Sequence, residues 1–324
     1  MKDFYMGDIW RQIIKIITQT RLNKAAYGII LIMSTQKRRK KAFNMKERKV
    51  IQVVRGISAV DGAGVHLTRV LSHSTVKAFD PFLMLDSFDS KNPPDYIKGF
   101  PMHPHRGIET VTYLVEGLIE HQDSLGNKGA IESGCSQWMT GGSGILHQEM
   151  PQACERMLGF QLWLNLPKSE KMTDPKYFEI RKENIPLYKG EGFQVGVISG
   201  SYEGIKGAEP HHIQAMILDI VVEPGKSVKV PTPKGETVFV FLIEGQGVVA
   251  ETLYQEKSAM LFSEGEYVEI AADDKPLRFA LFSAPPLNEP VAWGGPIVMN
   301  TEDELKQAFA DLEDGSFIKT RPQL

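Results

Sequence analysis

An eleven-residue stretch occurs twice in this chain. Gly107–Gly117 reads Gly-Ile-Glu-Thr-Val-Thr-Tyr-Leu-Val-Glu-Gly, and Gly235–Gly245 reads Gly-Glu-Thr-Val-Phe-Val-Phe-Leu-Ile-Glu-Gly. Each copy is a β-branched and aromatic run closed by a Glu-Gly turn, as a buried strand would be. The repeat predicts two β units of like architecture. The surrounding texture agrees. Val50–Val54, Val65–Leu71, Asp80–Asp86, Ser136–Thr140 and Leu158–Leu166 are short apolar or β-branched runs separated by turn residues. From Lys49 to residue 300 there is no helix-period segment of useful length, so the expected class is all-β, a sandwich or barrel. Pro167, Pro175 and Pro186 punctuate the middle, which reads as a linker over 168–192 containing a strand at Tyr177–Arg181. The expected domains are therefore 45–167 and 193–318. Thr301 and Glu304 form a capping box that opens a C-terminal helix, with Leu305, Ala308, Phe309 and Leu312 on one face. That helix is expected to pack on a barrel in a structural role.

The chemistry concentrates just before the first copy. His103 and His105 stand at i and i+2, so on a strand both imidazoles point to one face. Ile108–Val115 reads as the same strand continuing. After a glycine turn at Gly141–Gly144 comes a second such pair, His147 and Glu149. Two facing strands that direct these four groups into one cavity would give three nitrogens and one oxygen, a set suited to a divalent transition metal. A lone His-x-His is an ordinary core or surface pair; the matching His-x-Glu is what raises it to a metal site. When the copies are registered on Gly107 and Gly235, His103 falls on Pro231 and His105 on Pro233, and no histidine follows His212. The second unit cannot reproduce the site.

Other candidates are weaker. Glu109 lies four residues after His105, with Gly107 between them able to bend the chain; it is a candidate additional ligand or an acceptor behind one. Gly141–Gly144 is followed by neither a helix nor Lys-Ser/Thr, so it is a turn and not a phosphate loop. His66, His73 and His121 are single histidines with expected structural roles. His211 and His212 are adjacent and point oppositely on a strand. No Gly-x-Ser-x-Gly elbow or Cys/His nucleophile pair stands out.

Composition excludes several classes. A net charge of −3 and a pI near 6.3 give no footprint for nucleic acid or an anionic membrane. Two cysteines, Cys135 and Cys154, make no disulfide framework and no CxxC, so a reducing, cytoplasmic setting is expected. Residues 1–44 differ in texture. Ile9, Trp10, Ile13, Ile14, Ile16 and Ile17 are roughly helix-spaced, and Lys37–Lys41 is a basic cluster. One reading is an amphipathic membrane-surface anchor. The other, preferred here, is a dispensable leader, disordered or weakly amphipathic, ahead of a domain that starts near Met45. Asp3 and Asp8 argue against a secretory signal, and Lys15, Arg21 and Lys24 interrupt any spanning helix.

Five segments carry a resemblance: Asp80–Asp86, His103–Tyr113, Gln137–Pro151, Gln161–Leu166 and Gly295–Asn300. They resemble the pirin family of the cupin superfamily over residues 46–318. The resemblance implies a bicupin, two jelly-roll-type antiparallel β-barrels packed together. It implies metal ligation by His103, His105, His147 and Glu149, with Fe(2+) as the usual metal and other first-row divalent ions as alternatives. It also implies one of two functions. The first is a quercetin 2,3-dioxygenase-type oxidoreductase acting on a flavonol and O2, with Glu149 as the base that takes the flavonol's hydroxyl proton. The second is a non-enzymatic redox sensor or transcriptional co-regulator. With no DNA-binding motif in the chain, that role would run through a protein partner. Trp138, Met139, Met150 and Phe82 are candidate walls of an apolar pocket, core packing being their alternative role.

Overall fold

The computed structural model describes residues 45–320. The expectations for residues 1–44 lie outside the described residues. No helix among the described residues is long and apolar enough to cross a membrane.

The fold is all-β and bicupin. Each half pairs a seven-stranded antiparallel sheet with a four-stranded one, and the strand orders correspond position by position. The two copies of the repeat, Ile108–Glu116 and Thr237–Glu244, occupy the same third place in their large sheets. Alternation along these strands explains their composition. Val111, Tyr113 and Val115 of the first copy and Phe239, Phe241 and Ile243 of the second lie in one shared core between the halves. There Phe82 and Phe239 meet at 4.9 Å, and Phe239 stacks on Phe282 at 4.6 Å. Phe82 and Trp138 belong to this core.

The intervening positions face into each barrel. In the second they are Val238, Val240 and Leu242, packed with Val228, Val230, Val268 and Ile270. In the first they are Thr110, Thr112 and Leu114. Pro231 and Pro233, the counterparts of the first histidine pair, are exposed.

Both ends of the described chain cross over. Val50–Arg55 pairs with Ser258–Phe262 at the edge of the second large sheet. Ala292–Phe317 returns to the first half, as the hairpin Ala292–Gly294/Ile297–Met299 and the helix Glu302–Glu313. That helix has the expected capping box: the Glu304 amide donates to Thr301 Oγ1 at 3.2 Å, and the Thr301 amide donates to Glu304 Oε2 at 2.9 Å. Leu305 and Ala308 are buried beneath it, whereas Phe309 is 39% exposed. The expected linker strand is present as Lys176–Ile180 and forms the edge of the first large sheet.

Candidate metal centre

The strands Phe100–His105 and Ile145–Pro151 lie side by side, with His147 directly opposite His103. They do not belong to the large sheet. The strand that begins at Phe100 ends at His105, and Ile108–Glu116 is a separate strand of the seven-stranded sheet. The expected continuation fails at Gly107. Its φ of +78° turns the corner, and a Cβ there would lie 1.9 Å from the Val298 carbonyl oxygen, so only glycine fits.

His103, His105 and His147 converge, their ligand nitrogens all within 4.8 Å of one another. The hydrogen bonds settle which nitrogens are available. His103 Nδ1 is 2.9 Å from the Pro101 carbonyl, and His105 Nδ1 is 3.1 Å from the Pro296 carbonyl. A carbonyl can only accept, so each Nδ1 carries the proton and each neutral ring presents a bare Nε2. These two Nε2 atoms are 3.1 Å apart. Two lone pairs cannot bond each other across that gap. Two ligands about 2.1 Å from one ion at a right angle would be separated by about 3 Å. His147 is fully buried, and neither ring nitrogen has a partner among the described residues. An orphaned imidazole of this kind has an unmet need that a metal would fill. Burial, and then the charge His103 would carry, pull the His105 pKa down to about 3. Burial and the neighbouring histidines push His147 well below its usual range. Both rings are neutral near pH 7, as a ligand must be.

Glu149 lies on the same face of its strand as His147 and is not one of the clustered three. Thr112 Oγ1 and Gln137 Nε2 each donate to Oε1 at 3.1 Å, and Gln161 Nε2 donates to Oε2 at 2.7 Å. Glu109 is elsewhere. It shares strand parity with Val111 and Tyr113, so it faces the shared core, where Thr140 donates to it at 2.8 Å. Burial raises its pKa.

A cavity of about 540 Å³ opens onto His103 and His105. Its walls are Met84, Phe100, Trp163 and Trp293, with Gln161 between them and Glu149. The apolar residues singled out from the sequence do not line it. Phe82, Trp138 and Met139 are fully buried in packing, and Met150 is not among the wall residues. At one end Arg69 is clamped by Asp86 at 2.9 and 2.7 Å and by Asp61 at 2.6 Å.

Several participants escaped the sequence reading. His121 is buried beside the cluster, 5.5 Å from His147 ring to ring, with Nε2 3.2 Å from Asp123. Its signal was available, because His121 and Asp123 form another i, i+2 pair. His73 stacks on Trp293 at 3.8 Å. Gln137, Gln161 and the Pro296 carbonyl carry no sequence signal, because each acquires its role through long-range pairing. His212 Nδ1 meets Glu170 at 2.7 Å, far from the cluster in role.

Two family models match the chain: pirin over residues 64–164 and the pirin C-terminal cupin domain over residues 217–318. The chain belongs to the pirin family. Human pirin is 40% identical over 273 residues, which cover 82% of this chain and 93% of that protein. A pirin-like protein of Caulobacter vibrioides is 41% identical over 277 residues, covering 84% of this chain and all of the other. A solved quercetin 2,3-dioxygenase from Acinetobacter baumannii superposes with a TM-score of 0.77 at 33% identity, over 84% of this chain and 98% of that one. The pirin-type barrels and the histidine cluster that could hold a divalent metal are thus found in one chain.

Proposed function

We propose that this protein is an iron-dependent dioxygenase that cleaves flavonols such as quercetin, with His103, His105, His147 and Glu149 as metal ligands. The observation that carries the reading is the convergence of unpartnered imidazole nitrogens beside an aromatic-walled cavity. When bound, the metal would supply Lewis acidity toward a chelating hydroxyl and redox chemistry with O2. The chain's own residues do the rest. Trp163, Trp293, Phe100 and Met84 suit a flat aromatic substrate. The backbone carbonyls of Pro101 and Pro296 hold His103 and His105 in the ligating tautomer. Glu149 has three donors on a carboxylate that offers roughly four lone-pair sites, which leaves one for the metal or for the substrate's hydroxyl proton. Kinship with a protein named quercetin 2,3-dioxygenase supports the substrate class.

The test is anaerobic iron loading followed by an oxygen-electrode assay with a panel of flavonols. Uptake with quercetin is expected, and Glu149→Gln should lower kcat by about a hundredfold or more. A fully loaded protein that consumes no O2 would overturn the enzyme reading in favour of a metal-binding regulator.

A further inference from the structure

The segment from Ala292 to Phe317 follows the second barrel in the chain but is fastened to the first. The fastening is centred on Arg106, the residue after His105. Arg106 is 2% exposed, and each of its three guanidinium nitrogens has an acceptor. Nη1 donates to Asp311 Oδ2 at 2.7 Å, Nη2 to the Phe317 carbonyl at 2.9 Å and Nε to the Ser143 carbonyl at 2.7 Å. The guanidinium also lies 4.2 Å over the Phe317 ring. The Arg106 backbone bridges Ile297, with the Val298 amide donating to the Arg106 carbonyl at 3.1 Å. Lys171 Nζ ties the same place, donating to the Gly107 carbonyl at 2.8 Å and the Val298 carbonyl at 2.9 Å. One residue before Ile297 is Pro296, whose carbonyl accepts from His105 Nδ1. Trp293, at the start of the segment, forms a cavity wall.

We propose that this C-terminal strap is a positioning element of the metal centre, with Asp311 acting through Arg106 to hold the Pro296 carbonyl against His105. The proposal rests on the metal reading above. A capping helix with a purely structural role would need to cover apolar surface and nothing more. This one aims a carboxylate at a buried cation adjacent to a ligand, and its hairpin supplies the carbonyl that fixes that ligand's tautomer. Outer hydrogen bonds of this kind are worth about ten- to a hundredfold in metal affinity. Coupling is reciprocal, so metal binding must in turn steady the strap.

The test is a Co(II) titration of the metal-free full chain and of Asp311→Asn and Asp311→Glu, read by visible absorption, with circular dichroism of each metal-free protein alongside. The expected result is one Co(II) per wild-type chain, affinity about tenfold or more weaker with altered bands in Asp311→Asn, and recovery toward wild type in Asp311→Glu. Hydrogen exchange of the wild-type chain provides a second readout that needs no variant: Co(II) should slow exchange at Ile297–Met299. Wild-type binding with unchanged affinity and spectrum in Asp311→Asn overturns the strap proposal and leaves the metal reading standing. So does Co(II) binding without added protection at Ile297–Met299. A wild-type chain that binds no Co(II) overturns both.

Discussion

The two barrels share strand order, sheet sizes and a common core, yet their interiors differ in kind. In the repeat, register on Gly107 and Gly235 sets Val111 against Phe239, Tyr113 against Phe241 and Val115 against Ile243, all on the shared face. On the inward face it sets Thr110 against Val238 and Thr112 against Val240. The second interior is filled by Val228, Val230, Val268 and Ile270, each no more than 1% exposed. The first keeps His105, His147, Glu149, Gln137 and Thr112 buried, each no more than 2% exposed. One barrel is packed for stability. The other carries polar groups whose desolvation cost is only partly offset by hydrogen bonds, the usual mark of a site.

The largest expected effect breaks that contrast from the functional side. His147→Leu makes the first interior resemble the second. It should abolish metal binding, by a factor of a thousand or more, while raising the melting temperature of the metal-free protein by a few degrees, because two orphaned nitrogens disappear. Metal analysis and calorimetry check the two halves of this statement. The reverse exchange is smaller and purely destabilising. Val268→His puts an imidazole into the packed barrel and should cost about 2–4 kcal/mol in denaturant unfolding without creating a metal site.

Acid should separate the barrels next. The folded-state pKa of His105 is about 3, below the 6.5 of an unfolded histidine. Between those values the unfolded chain binds more protons, so stability is fully present above pH 6.5 and is lost as pH falls toward 3. His147 acts in the same direction. In the metal-free protein, hydrogen exchange at pH 4.5 should therefore accelerate in Phe100–His105 and Ile145–Pro151 well before Ser227–Pro231 and Tyr267–Ala272. Equal acceleration in both barrels would show that the histidine cluster is not the acid-sensitive element.

Much of this was legible in the sequence, for identifiable reasons. The repeat and the β texture are local patterns, and local patterns reveal strands. The two i, i+2 pairs were readable because strand alternation places such residues on one face. The corner at Gly107 was not, because its requirement for glycine comes from Val298, far along the chain. Glu109 was ambiguous until that corner fixed its parity. The cavity walls Trp163 and Trp293, and the donors Gln137 and Gln161, come together only through sheet pairing and the returning strap. The apolar residues nearest the motif, Trp138, Met139 and Phe82, were drawn into the core, where apolar residues between two sheets belong.

The central claim is that the metal sits in the first barrel, on the histidine cluster, and that the second barrel holds none. Anomalous diffraction from crystals loaded with iron or cobalt, collected at the metal's absorption edge, tests this directly. The predicted result is one strong peak per chain about 2.1 Å from His103 Nε2, His105 Nε2 and a ring nitrogen of His147. A peak inside the second barrel, or none near these three side chains in fully loaded protein, would contradict it.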